Sequence, residues 1–313
     1  MKVPKNKLNV VLDIGKTNVK LIFLKHDKIV KEYKTKQKNG SYKNSIKILK
    51  SDQIIIWLIK KLKKESKINT LENFVCTTHG CSLAFIDFDN KEIIACTDYE
   101  YSFNKYKEEF LKTKPAFSTS FTPLLEGGLN TGLQIFYLSK RFPNILKKTK
   151  YILSYPQYIA WKLSQTYSTE ITYVGCHSYL WDFKKNQYSQ LIKKLSLEKK
   201  FPPMKKAWDI IGHLKLNNKK INILNGVHDS NASYLYFLNS NLRSFTLVST
   251  GTWYITLNQQ TSIQRLKPNY DMLCGINVFG KSVPTMRFMG GREYELLCKK
   301  LKISSANFKI SKS

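Results

Sequence analysis

The sequence predicts an α/β protein of two domains, the second the smaller. Three observations carry that expectation. At 313 residues the chain exceeds the usual size of a single core. Its first half alternates strand-like runs of β-branched residues with amphipathic helical stretches. One local pattern, a β-run broken by a tight polar turn and then resumed, occurs twice, at 10–24 and at 244–257.

The first instance reads VVLDIGKTNVKLIFL. Gly15-Lys16-Thr17 spells the end of a P-loop, but that motif needs a second glycine where Val10 stands, and a helix where Val19–Leu24 is strand-like. What remains is strand, polar turn, strand. SDQIIIWLIKKLKKESK (51–67) follows as a helix with Ser51 as its N-cap, and LENFVCTTHG (71–80) runs a strand into a polar turn. CSLAFIDFDN and KEIIAC form a hairpin around Asp89-Asn90. In PLLEGGLNTGLQIFYLSKRFP (123–143), Gly127-Gly128 precede a helix that begins near Asn130 or Thr131 and stops before Pro143. PQYIAWKLSQ (156–165) is an amphipathic helix with Pro156 suited to its first turn.

INILNGVHDSNASYLYF (221–237) is strand, turn and helix, with Asp229 at the helix start, where an aspartate caps orphan amides. SFTLVSTGTWYITL (244–257) repeats the opening architecture around Ser249, Thr250, Gly251 and Thr252. Hairpins tipped with hydroxyls and glycine are an economical way for backbone amides to surround phosphates.

Composition narrows the class. A net charge of +30 suggests nucleic acid, yet the cations are nearly all lysine, spread along the whole chain. Arginine, favoured for bidentate phosphate and base recognition, is confined to Arg141, Arg243, Arg265, Arg287 and Arg292. Lysine together with an excess of Asn and Ile fits a codon bias acting on solvated positions. The longest apolar run, Ile54–Ile59, is too short to span a bilayer, and the N-terminus has no separate hydrophobic signal region, so a cytoplasmic protein without a membrane partner is expected. Six scattered cysteines with no CxxC pair read as reduced thiols, not as a zinc site.

Four segments together resemble one family. DIGKTNVK (13–20) is similar to the first phosphate motif of the sugar kinase/actin/Hsp70 superfamily, STGTW (249–253) to its second, and GVHDSNAS (226–233) to the segment carrying the catalytic aspartate of FGGY carbohydrate kinases. TTHG (77–80) resembles the family's sugar-facing turn, while GLNTGLQ, YPQYIAWKL, VGCHSYLWD and RFMGGREYELL are similar to a branch near the rhamnulose and fuculose kinases. The order and rough spacing agree over about residues 8–300.

The resemblance implies ribonuclease-H-like (actin-like ATPase) domains: a sugar-binding domain over 1–243 and the beginning of a nucleotide-binding domain over 244–313. It implies ATP and Mg2+ as cofactors and a sugar, a ketose or related polyol, as substrate. Asp13 would help hold hydrated magnesium, and Gly15, Lys16, Thr17 and Asn18, with Ser249, Thr250, Gly251 and Thr252, would surround phosphate. Lys16 replaces the commoner Thr, either as a direct phosphate charge or as one more lysine of a lysine-rich chain. Asp229 would be the general base, and His79, Gly80 and His228 would face the sugar, with His177 a further candidate for the pocket. Glu126 with Gly127-Gly128 shapes the pocket or is a plain loop, and Trp253 and Tyr254 are core or cleft wall.

The family's adenosine-binding glycine-rich motif has no counterpart here, since Gly290-Gly291 comes too early and reads as the start of a helix. A separately encoded or lost remainder, an excised piece, and a natural short form that binds without efficient transfer are all open. A partial second domain implies exposed apolar surface, with a homodimer or a complementary C-terminal chain as the protein partner. Rival readings are a non-catalytic sugar or nucleotide sensor of the same fold and a nucleic-acid-binding protein.

Overall fold

The computed structural model describes residues 7–250 and 253–303. Its centre is a mixed sheet. Strands β1 (Lys7–Ile14), β2 (Asn18–Lys25) and β3 (Lys28–Lys36) form an antiparallel meander. Val10, Leu12 and Ile14 of β1, with Val19, Leu21 and Phe23 of β2, alternate inward, the period-two pattern expected of a strand with one buried face.

Helix α1 (Ser51–Ile68) lays Ile54, Leu58 and Leu62 on this sheet at helical spacing. Its N-cap is Lys50, without a side-chain cap, so Ser51 is already helical and does not have the expected capping role. Strand β4 (Thr70–Thr78) then runs parallel to β1.

The hairpin around Asp89-Asn90 is present as β5 (Leu83–Asp87) and β6 (Glu92–Ile94). Helix α2 (Thr131–Arg141) packs in the second core, near β7 (Thr149–Ser154), which completes a three-stranded sheet with β5. Helix α3 (Tyr155–Ser164) has proline in its first turn and ends at Gln165 in the left-handed region.

The chain returns to the central sheet through β8 (Ile210–Leu216), β9 (Lys219–Leu224) and the short β10 (Val227–His228), and both β9 and β10 pair parallel to β4. Between them Gly226 adopts φ +87°, and a Cβ there would stand 2.6 Å from the Cys76 carbonyl oxygen. Only glycine lets the chain turn so close to β4. Helix α4 (Asp229–Leu238) follows directly.

A second sheet of β11 (Leu247–Ser249), β12 (Tyr254–Leu257), β13 (Met272–Ile276) and β14 (Ser282–Phe288) has the order β11-β12-β14-β13. It abuts the first domain where the Cys274 amide donates to the Phe121 carbonyl at 2.9 Å. Ile276 packs so closely on Gly175 that a Cβ at that glycine would lie 2.6 Å from its side chain. Helix α5 (Gly290–Leu301) starts at Gly290, and its Leu296, Leu297 and Leu301 are exposed, as is Phe288 before it, the apolar surface expected of this part. Among the described residues no helix is long and apolar enough to cross a membrane.

The buried hub is β4, flanked by β1 on one side and by β9 and β10 on the other. Phe74→Ala, at a fully buried position of β4, is expected to cost about 3–5 kcal/mol in urea unfolding, whereas Ile29→Ser on exposed β3 stays within about 0.5 kcal/mol.

Candidate active site

Register alone assembles the site. Asp13 pairs with Thr77 and Ile14 with Thr78 across the β1–β4 ladder, and Thr77 pairs with Val227 and Thr78 with His228 across the β4–β10 ladder. Three parallel strands therefore end side by side, and the residues leaving them are Gly15, His79 and Asp229. Open α/β sheets bind ligands beyond such carboxyl ends.

At the first strand end the Gly15 amide donates to the Asn18 carbonyl at 3.0 Å, closing the turn, and leaves Thr17 and Asn18 exposed at its tip. Burial pushes the half-buried Asp13 carboxyl above its ordinary range; Lys20, opposite on β2, pulls it back, and the charge of Asp229 adds to the rise. The two carboxylates thus share a field. Mg2+, which takes one or two carboxylates and keeps several waters, suits such a pair. Among the described residues no cluster of three or more His, Cys, Asp or Glu is arranged to hold a metal.

The backbone amide of His79 donates to the Ile14 carbonyl at 2.8 Å, and its Nδ1 lies 2.9 Å from the Gly80 carbonyl. A carbonyl only accepts, so Nδ1 carries the proton and Nε2 presents a lone pair. Burial holds the ring's pKa down, favouring the neutral form. Nε2 is buried without a hydrogen-bond partner.

His228 is likewise 6% exposed. Its Nε2 stands 3.4 Å from Asp229 Oδ1, and a Cβ on Gly80 would come within 2.9 Å of that nitrogen, so Gly80 is the cradle for the ring. Its Nδ1 has no hydrogen-bond partner. Burial opposes protonation of this ring, but the neighbouring Cys176 and Asp229 outweigh it and raise its pKa. Asp229 opens α4 without acting as its N-cap; its Oδ1 accepts from the Ser230 amide at 2.6 Å.

His79, Gly80 and His228 line one cavity of about 170 Å³, together with Tyr99 and His177, while β12, β13 and β14 form the opposite wall. A neighbouring space, also about 170 Å³, is lined by Asp229, Ser230, Ser233 and Ser249. Ser230 borders both, so Asp229 sits where a pocket lined by imidazoles meets one lined by hydroxyls. His177 is in the left-handed region at φ 35° and its Nδ1 contacts the Leu129 carbonyl at 2.7 Å. Glu126 is exposed and lines neither space. Gly251 and Thr252 lie outside the described residues; Thr250, just before them, is exposed.

Lys16 has other partners than the phosphate contact considered for it. Its Nζ lies 2.5 Å from Asp98 Oδ1, 3.3 Å from Glu100 Oε2 and 4.5 Å above the centre of the Tyr99 ring. Asp98 is 2% exposed in its side chain and holds Lys47 at 3.0 Å with its other oxygen. Lys16 thus ties the 15–18 turn to the loop that carries Tyr99 into the cavity, where Tyr99 packs edge-on to His79. Two positioning roles have no signal in the sequence: the buried Gln134 amide donates to the Cys81 carbonyl at 2.7 Å, and Asn130, expected only near a helix start, donates from Nδ2 to the His177 carbonyl at 2.7 Å. Both lie in GLNTGLQ, a segment singled out only as a match.

Parallel strands that end side by side beside a cavity, with Asp13 and Asp229 at two of those ends, define the ligand-binding end of an open α/β sheet. Residues 8–233 match the N-terminal domain of the FGGY family of carbohydrate kinases and residues 242–312 a carbohydrate kinase FGGY C-terminal domain. The chain belongs to this family. It resembles a carbohydrate kinase from Novosphingobium aromaticivorans at 28% identity and TM-score 0.85, covering 93% of this chain and 66% of that one. A ligand-bound xylulose kinase from Lactobacillus acidophilus (13% identity, TM-score 0.77, 95% and 64% covered) and a Plasmodium falciparum glycerol kinase with ADP (15%, 0.74, 96% and 65%) share the fold. The chain therefore spans about two thirds of the length of these structures. No curated protein sequence is significantly similar to it.

The Asp98 carboxyl is lowered in pKa, because its bonds to Lys16, the Glu100 amide and Lys47 outweigh the burial that raises it. A depressed carboxylate contributes stability that is complete above its ordinary value near 3.8 and is lost as pH falls below it. Asp98→Asn is expected to lower stability by about 2 kcal/mol at pH 7 and to flatten the wild-type decline in thermal midpoint as pH falls below about 3.8, measured by circular dichroism.

Proposed function

We propose that this chain carries the sugar-binding and phosphate-binding machinery of an ATP-dependent carbohydrate kinase that phosphorylates a hydroxyl of a ketose or related polyol. One observation carries the reading: two buried imidazoles, His79 and His228, each keep a ring nitrogen without a protein partner beside a cavity at whose edge stands Asp229. What sets these two nitrogens apart from other unpaired buried polar atoms is that both rings line the same cavity, so they are read as available to substrate hydroxyls.

His79 Nε2 accepts from one hydroxyl and His228 Nδ1 bonds another, which orients the sugar with its reacting oxygen toward Asp229. Asp229 accepts the proton of that oxygen as it attacks. Asp13, with the charge of Asp229 nearby, would hold hydrated Mg2+ when MgATP is bound, and the metal would neutralise charge on the transferring phosphoryl group. The amides of Lys16 and Thr17 at the turn tip and the hydroxyls of Ser230, Ser233 and Ser249 receive phosphate oxygens, and the apolar second wall excludes water. ATP as co-substrate and six free thiols support a cytoplasmic location. The exposed apolar side chains of α5 support association with further polypeptide, either a second copy or a chain supplying more of the nucleotide domain.

Sugar-dependent ADP release by the 313-residue chain, with ketoses, polyols and aldoses, tests the reading. Asp229→Asn is expected to reduce release by about 10²–10⁴-fold while sugar binding measured by calorimetry stays within about threefold. Equal turnover in that variant removes Asp229 from the role. His79→Phe is expected to weaken sugar binding by about tenfold or more with the fold intact. Sugar binding without ADP release by the wild-type chain would favour the sensor reading.

A further inference from the structure

Strand β14 presents Val283, Thr285 and Arg287 on one face by its period of two, and all three line the cavity opposite the histidines. Ile255, Leu257, Leu273 and Ile276 fill the rest of that wall, which leaves Arg287 as its one charged side chain among the described residues. The side chain is held rigidly. Its Cζ lies 4.8 Å above the Trp253 ring, and Nη2 donates to Asp271 Oδ1 at 3.1 Å. Nε is buried with no partner, although a guanidinium carries five donors in a fork made for oxyanions. Asp271 is half exposed, so it can be released to water when a better partner arrives. Among the described residues no carboxylate lines the cavity.

We infer that Arg287 is an anion-recognising residue of the interdomain cavity, taking either the carboxylate of a sugar acid or the terminal phosphate of a nucleotide. The inference rests on the kinase reading only for the identity of those anions. An arginine already oriented by stacking, and with donors to spare, loses little freedom on binding a planar or tetrahedral oxyanion. A neutral polyol has no group that repays this charge.

Calorimetric titration of the whole chain separates the sources, with gluconate, its neutral counterpart glucitol, and inorganic phosphate as probes. Arg287→Met is expected to weaken one anion by about tenfold or more and to leave glucitol unchanged; Arg287→Lys, which keeps charge without the fork, falls between. Loss confined to gluconate assigns a substrate carboxylate, and loss confined to phosphate assigns the phosphoryl end. Asp271→Asn, which removes the competing carboxylate, is expected to tighten the same anion several-fold, a change that a purely structural arginine does not produce. It also decides the matter if Arg287→Met fails to fold. Failure of both anions to bind, unchanged anion affinity in Arg287→Met, or weaker anion binding in Asp271→Asn overturns the inference. Because titration needs no turnover, that failure is distinguishable from absent sugar-dependent ADP release, which tests the kinase reading alone.

Discussion

The site depends on one constraint, the parallel alignment of β1, β4 and β10 so that all three end at the same level. Shifting a strand by one residue turns every side chain to the opposite face. A slip of β10 against β4 would therefore move His228 off Gly80 and carry Asp229 away from Asp13. Two glycines secure the register: Gly226, where any side chain would strike the β4 backbone, and Gly80, where one would strike the His228 ring. Phe74, Cys76, Ile221 and Ile223, all buried, hold these strands from the core side.

Around that frame the loops are fixed by polar groups that bond backbone. Asn130 spends its amide on Leu125 and His177, and Gln134 spends its own on Cys81, Gly128 and the Thr97 hydroxyl. Lys16 joins the same system through Asp98. Such side chains suit a binding site better than apolar ones because each bond fixes direction as well as distance, and a satisfied buried network permits few alternative arrangements. The order of the phosphate turn and of the Tyr99 loop then become one property, since moving either breaks the Lys16–Asp98 pair.

What was legible in the sequence is what local chemistry encodes. The strands of the two hairpins, the helix after Asp229 and the Asp89-Asn90 turn follow from alternation and turn residues, whereas the roles expected of Asp13 and Asp229 came only from the family resemblance. The rest required three dimensions. Lys16 and Asp98 are 82 residues apart, and nothing in the sequence near Lys16 announces that pair. Tyr99 and Arg287 reach the cavity only because of the face their loop or strand presents. Ser51 was misassigned as an N-cap because α1 begins one residue earlier than the serine suggests, a boundary that propensity rarely fixes.

The contacts of Asp229 fit the general-base role proposed for it. Asp229 Oδ1 receives the Ser230 amide at 2.6 Å, the Ser230 hydroxyl at 3.3 Å and faces His228 Nε2 at 3.4 Å. Among the described residues Oδ2 has no hydrogen-bond donor. One oxygen thus anchors the carboxylate and the other is left for a substrate proton. Full pairing would make Asp229 an inert structural acid, and no pairing would let it rotate freely in water. Anchoring through a single oxygen, between the Ser230 amide and the His228 ring, gives a fixed direction and an unspent lone pair, which the proposed general base needs. Asp13 is the contrasting case: burial and the charge of Asp229 raise its pKa while Lys20, opposite on β2, lowers it, so a cation bound beside it would relieve the cost of its charge.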